Sequence, residues 1–204
     1  MLEGEALPLL AERLMEKYEH EPEHVRHVEK LSMQLFDGLR EAFGFDGGMR
    51  TKLRFAALAH DIGHYVDSAE HHAHSAYLIL VDETTRSLDV ELRDELAWLA
   101  LNHRKRKLID ADRFRKNKRL ELGRLATLLR LADALDYEHE QRANVVGVAC
   151  DRSDGRILVT AEGVDVESLR RKLEKKLAPA ARFGFGLLGV TDGRSTVFAA
   201  GDDR

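Results

Sequence analysis

Through most of the chain, apolar residues recur with a helical period. Leu7, Leu10, Leu14 and Tyr18 fall on one stripe and predict a first helix from Ala6 to Tyr18. A second helix opens at Pro22, whose missing N–H has no partner to lose in a first turn. It carries His24, Val28, Leu31, Leu35, Leu39 and Ala42 inward and stops at Gly44. Gly47 and Gly48 predict a loop, and a third helix runs from about Arg50 to Asp61. The same period predicts helices from His71 to about Val81 and from Val90 to Asn102, the latter burying Leu92, Leu96, Trp98 and Leu99. The last of the series runs from Leu120 to about Asp136. Asp110 to Arg119 is basic and reads as loop.

Past Asn144 the pattern changes. Val145–Cys150 and Arg156–Thr160 are β-prone runs around Asp151-Arg152-Ser153-Asp154-Gly155, a hairpin signal. A helix from about Val166 to Leu177 follows, with Phe183–Val190 and Ser195–Ala199 as further strand segments. The expected fold is therefore mainly α: a helical domain over residues 1–143 and a small α+β appendage over 144–204, strand–strand–helix–strand.

Composition narrows the function classes. The 204 residues, 44% of them hydrophobic, suffice for a sizeable core. A net charge of -4 gives no general attraction to nucleic acid or acidic membrane, so any anion site must be local. Cys150 is the only cysteine, which excludes an internal disulfide. Apolar runs fall short of a membrane span, and Met1-Leu2-Glu3-Gly4-Glu5 lacks the basic start of a secretion signal. A cytoplasmic protein without membrane contact is expected.

The chemistry gathers around Ala56-Ala57-Leu58-Ala59-His60-Asp61-Ile62-Gly63-His64. Neighbours on a helix point about 100° apart, so His60 and Asp61 reach one ion only where the helix ends, as Gly63 suggests. His24 lies upstream on an apolar stripe, with His27 less well in register and His20 before the helix. His71, His72 and His74 crowd downstream, His71 and His74 sharing a face with His72 turned away. The bland reading of that cluster is a solvated helix start. His103 closes another apolar helix, and Asp133 sits inside Leu131-Ala132-Asp133-Ala134-Leu135. A carboxylate in such a stretch needs a cation, either a metal or an Arg or Lys side chain. Imidazoles and carboxylates from several helices make a mixed N/O donor set for Mn, Fe, Zn or Mg. Arg104-Lys105-Arg106-Lys107 is either a solvated face or a clamp for substrate phosphates.

The pattern His24 … His60-Asp61 … Asp133 resembles the HD superfamily of metal-dependent phosphohydrolases. It is most similar to the C-terminal HD domain of the exopolyphosphatase / guanosine pentaphosphate phosphohydrolase family, here free-standing. The likeness extends through His24–Asp37, Leu58–Gly63, His71–Ile79, His103-Arg104-Lys105 and Leu128–Asp136, and into the tail with Lys175-Lys176. It implies an HD-type helical bundle holding one or two divalent ions, Mn or Fe favoured over Mg, Zn, Co or Ni. His24, His60, Asp61 and Asp133 would hold one ion, with Asp61 bridging to a second on His71 and His103. It also implies hydrolysis of a phosphoester or phosphoanhydride by metal-activated hydroxide. In that scheme His64 contacts a phosphate oxygen, Arg104, Lys105 and Arg106 neutralise charge, and Asp136 orients a ligand or accepts a proton. The expected substrate is a small phosphorylated compound, a nucleotide first. The competing readings are a catalytically silent nucleotide or polyphosphate sensor and a nucleic-acid phosphodiesterase using Arg113–Arg119. The second lacks an aromatic stacking platform. Strand edges in the tail would allow a homodimer.

Overall fold

A computed structural model describes residues 3–18, 21–105, 107–151 and 156–199, with backbone alone for 3–6 and 199. His20, Arg106 and the expected hairpin turn at 152–155 lie outside the described residues. Within them the chain forms α1 (Glu3–Tyr18), α2 (Pro22–Phe43), α3 (Gly47–Ala59), α4 (His71–Val81), α5 (Val90–Leu101) and α6 (Lys116–Leu135). The tail then adds β1 (Asn144–Asp151), β2 (Arg156–Glu162), α7 (Arg170–Leu177), β3 (Leu188–Thr191) and β4 (Thr196–Ala199). The fold is mainly helical with an α+β end. None of the described helices is long and apolar enough to cross a membrane.

The strands form one sheet in the order β1-β2-β3-β4. β1 and β2 are antiparallel, as are β3 and β4. β2 and β3 run parallel because α7 carries the chain back between them. One apolar cluster joins this tail to the helices: Leu31 and Leu35 of α2 and Leu125 and Leu129 of α6 meet Ile157, Val159 and Val190 of the sheet and Leu173 of α7. A second cluster packs Leu14 of α1, Phe55 and Leu58 of α3, Ile79 of α4 and Leu96 of α5. The sequence 60–64 leaves α3 where these two layers adjoin.

Several boundaries differ from the periodicity, each for a local reason. Gly47 and Gly48 are not a loop but the first turn of α3, because Asp46 caps it and its side chain accepts from the Met49 amide at 2.8 Å. Lys116–Arg119 is helix rather than loop: Lys118 reaches the buried Glu95 at 2.9 Å and Glu121 at 3.2 Å, a polar face that gives no apolar stripe. Residues 166–169 are a turn built on Asp165, whose carboxylate accepts from the amides of Glu167 and Ser168, so α7 begins only at Arg170. Ala180–Phe183 is a 3₁₀ turn ended by Gly184 at φ +85°, which leaves β3 only Leu188–Thr191. Leu92 is half-buried rather than core. His71 and His72 are both buried, so the start of α4 is not a solvated one.

Candidate metal centre

Each candidate ligand is delivered by the end of an element. An α-helix leaves its last carbonyls without partners. At the end of α3 the His60 ring donates from Nδ1 to Ala57 O at 2.8 Å, and after α5 the His103 ring donates from Nδ1 to Ala100 O at 2.7 Å. His71, first residue of α4, donates from Nδ1 to Ser68 O at 2.9 Å. His24, in the first turn of α2, donates from Nδ1 to Asp136 Oδ2 at 2.8 Å. In each neutral ring these bonds select the tautomer with Nδ1 protonated, which turns the Nε2 lone pair towards the others.

Those Nε2 atoms converge on two carboxylates. Asp61 Oδ2 lies 3.5 Å from His60 Nε2 and 3.9 Å from His24 Nε2, and Asp61 Oδ1 lies 3.3 Å from His71 Nε2 and 3.4 Å from His103 Nε2. Asp133 Oδ1 is 3.9 Å from His24 Nε2. α3 ends at Ala59, and Asp61 adopts φ -107°, ψ 0°, so the pair at 60–61 escapes helical spacing and both side chains face one point. Two groups have donor atoms all within 4.8 Å of one another: His24, His60 and Asp133, and Asp61, His64 and His71. His64 thus sits beside Asp61, its ring stacked on His71 at 3.9 Å between centroids. His74 is only half-buried and lies in neither group.

The electrostatics suit a cation. His24 Nε2, His60 Nε2 and Asp61 Oδ1 are buried with no hydrogen-bond partner. His71 Nε2 and His103 Nε2 face each other at 3.1 Å with both Nδ1 hydrogens already committed. Arg104 Nη1 lies 3.4 Å from His71 Nε2, and two acceptors this close favour positive charge beside them. Burial pushes His71 down to about 4 and His103 well below its ordinary value, which keeps both rings neutral. For His24, burial pulls down, but the Asp136 hydrogen bond and the charges of Asp133 and Asp61 leave it raised. Burial raises Asp61, and the surrounding His60, His103, His71 and His24 lower it by more. Asp133 is likewise lowered, burial being outweighed by Lys176. Two carboxylates among imidazoles, of which burial holds His71 and His103 neutral, fit a divalent ion in donor type and charge.

Around this floor lies a cavity of about 310 Å³. Arg104 lines it with its guanidinium against His71, Nη1 3.4 Å from the Nε2 acceptor. Lys105 lines it too, paired with Glu70 at 3.1 Å. A model of the Ppx/GppA phosphatase, domain III, matches residues 9–162. The chain belongs to this family. The Ppx/GppA match runs from α1 through β2 and takes in every residue of the floor, which relates the site to phosphatases.

Asp136 is expected from the sequence to orient a ligand or accept a proton, whereas Lys176, Arg130 and His139 carry little or no sequence signal. Asp136 touches no reacting position: one oxygen holds His24 and the other accepts from the Gln141 amide at 2.8 Å, so it positions. Lys176 of α7 pairs with Asp133 Oδ2, supplying the side-chain partner that the buried carboxylate required. Arg130 is fully buried and donates to the carbonyls of Asn102, Arg104, Lys105 and Lys176. His139, at φ +53°, stacks on His24 with ring centroids 3.7 Å apart. No pattern of residue types announces a positive φ there.

Proposed function

We propose that this chain is an HD-type metal-dependent phosphohydrolase acting on a nucleotide or another small phosphorylated compound. The observation that carries the reading is the meeting of four Nε2 lone pairs, from rings anchored at Nδ1, on Asp61 and Asp133. Membership of a phosphatase family and the cationic side chains above the floor support it. His24, His60, Asp61 and Asp133 would hold one divalent ion, and Asp61, His71, His103 and His64 offer donors for a second. Nitrogen-rich ligation favours Mn or Fe over Mg. Such an ion, when bound, supplies a Lewis acid for a phosphoryl oxygen and lowers the pKa of a water.

The protein's own groups perform the remaining tasks. The carbonyls of Ala57, Ser68 and Ala100 and the Asp136 carboxylate orient the four rings. Arg104 and Lys105 offset the charge that builds on the phosphate oxygens as the bond breaks. Among the described residues no serine or cysteine lines the pocket, so no side-chain nucleophile of that kind is assigned. The test is metal analysis of protein purified without chelator, with turnover of a panel of nucleotides and polyphosphate in Mn. Bound transition metal and hydrolysis, both lost in Asp61→Ala, are expected. Protein without metal or turnover, or Asp61→Ala retaining both, overturns the reading.

A further inference from the structure

The floor of the pocket lies within the residues matched by the family model, 9–162, and one wall lies beyond them. α7 begins at Arg170, past the matched residues, and presents Lys172, Lys175 and Lys176 to the cavity. Positions 172, 175 and 176 are spaced i, i+3, i+4 and share one helix face. Across the cavity stand Arg104 and Lys105. Five cations in one cavity repel each other, and a fold tolerates this where an anion is expected.

The cations are not equivalent. Lys176 is committed to Asp133, leaving Oδ1 of that carboxylate for the floor. Lys105 is paired with Glu70. Lys172 lies 3.5 Å over the Tyr137 ring, which holds its ammonium in place without neutralising it. Lys172 and Lys175 have no ion pair among the described residues. Arg170, on the same helix, pairs with Glu167 at 2.7 Å and Glu174 at 3.8 Å. Carboxylates of α7 and the turn before it thus offset Arg170, whereas none offsets Lys172 or Lys175 at the cavity.

The two walls are keyed together. Arg130 grips the carbonyls of Asn102, Arg104 and Lys105 on one side and of Lys176 on the other. Lys105 sits at φ +70°, a conformation costly for a side-chain-bearing residue, and its carbonyl is one of those held. The cavity, about 310 Å³, has room for roughly ten water volumes, well beyond one phosphate.

We infer that α7 is a binding wall of this site, with Lys172 and Lys175 gripping a second phosphate of the substrate, apart from the one at the histidine–aspartate floor. Tyr137 and Arg130 act as positioning residues for that wall. The inference rests on the hydrolase reading for the identity of the site, but not for its test. Calorimetric titration of the full chain with inorganic diphosphate and with orthophosphate reads binding directly. Lys172→Ala/Lys175→Ala should weaken diphosphate by about tenfold or more while orthophosphate stays within about threefold. Arg171→Ala, which removes an exposed charge from α7 away from the cavity, should change neither. Lys172→Gln and Lys175→Gln, each alone, give smaller losses of the same kind and guard against a double variant that misfolds. Unchanged diphosphate binding overturns the inference. So does an equal fall for both anions, or an equal effect of Arg171→Ala, since bulk charge then explains the result. Lysine-dependent diphosphate binding in a protein that hydrolyses nothing would sink the hydrolase reading and spare this one. Turnover indifferent to both lysines would do the reverse.

Discussion

At the scale of single residues, the site depends on what lies behind each ligand. Asp136 illustrates it: its carboxylate accepts the Nδ1 hydrogen of His24 and a backbone amide, so it fixes a ring rather than touching an ion or substrate. Removing such a support costs roughly 10–100-fold in metal affinity. Asp136→Ala should show that loss in competition with a chromogenic chelator, while Asp136→Asn, which keeps an acceptor, should lose less. Equal affinity in all three proteins would mean that His24 needs no support or is no ligand. The candidate ligands were legible because each falls on an apolar stripe or at its end, where a polar side chain is conspicuous. Asp133 among leucines is the clearest case. Lys176 was not, because a lysine on an amphipathic helix looks like any solvated lysine. Its partner is 43 positions away, and only the fold brings α7 over α6. Arg130 was hidden similarly: nothing in Leu129-Arg130-Leu131 says that four carbonyls will surround the guanidinium.

At the scale of elements, the turn after α3 must lie directly on the start of α4. A Cβ on Gly63 would come within 2.0 Å of His71 O and 2.4 Å of Ser75 N, both backbone atoms that cannot step aside. The Gly63 amide also donates to Ser75 Oγ at 2.8 Å. Gly63→Ala should therefore cost about 3 kcal/mol in denaturant unfolding, and shift Asp61 away from His71. Unaltered stability would show that the turn can slide. A second clip joins α1 to the end of α4, where Asp82 accepts from Lys17, Tyr18 and the Thr84 amide. Burial raises the Asp82 carboxyl, and Lys17, Thr84 and Tyr18 lower it by more, leaving it well below its ordinary 3.8. A carboxyl with a depressed folded-state pKa stabilises fully above its unfolded value and loses that contribution as pH falls below it. Asp82→Ala should cost about 1 kcal/mol at neutral pH through the lost cap alone. The gap to the parent protein should narrow as pH drops below 3.8 and should not narrow between pH 6 and 8. Helix interiors were readable from the 3.6-residue period and some ends from Pro22 and Gly44, whereas other boundaries were not. Asp46 and Asp165 set theirs through side-chain bonds to amides, and Lys118 through a charged network, none of which has a period.

At the scale of the whole molecule, the question is whether the tail is an accessory or part of one body. A change of pattern near residue 144 separates the two in sequence. The packing joins them: Trp98 of α5, Leu125 of α6, Ile157 of β2 and Leu173 of α7 belong to one apolar cluster, and the first two and last two come from opposite sides of that change. Trp98 is the only tryptophan, fully buried, and so reports on the helical part alone. Leu173→Ala removes a fully buried side chain from the tail, which costs about 2–5 kcal/mol where the site cannot collapse. If the cluster unfolds as one unit, Trp98 fluorescence and far-ultraviolet circular dichroism will share a single midpoint, and Leu173→Ala will lower both together. A variant in which the Trp98 midpoint stays put while part of the dichroism melts early would make the tail an independent lobe. Arg130 would then be tying α7 to the 102–105 loop across a hinge rather than within a common core, and the lysine wall would be free to open.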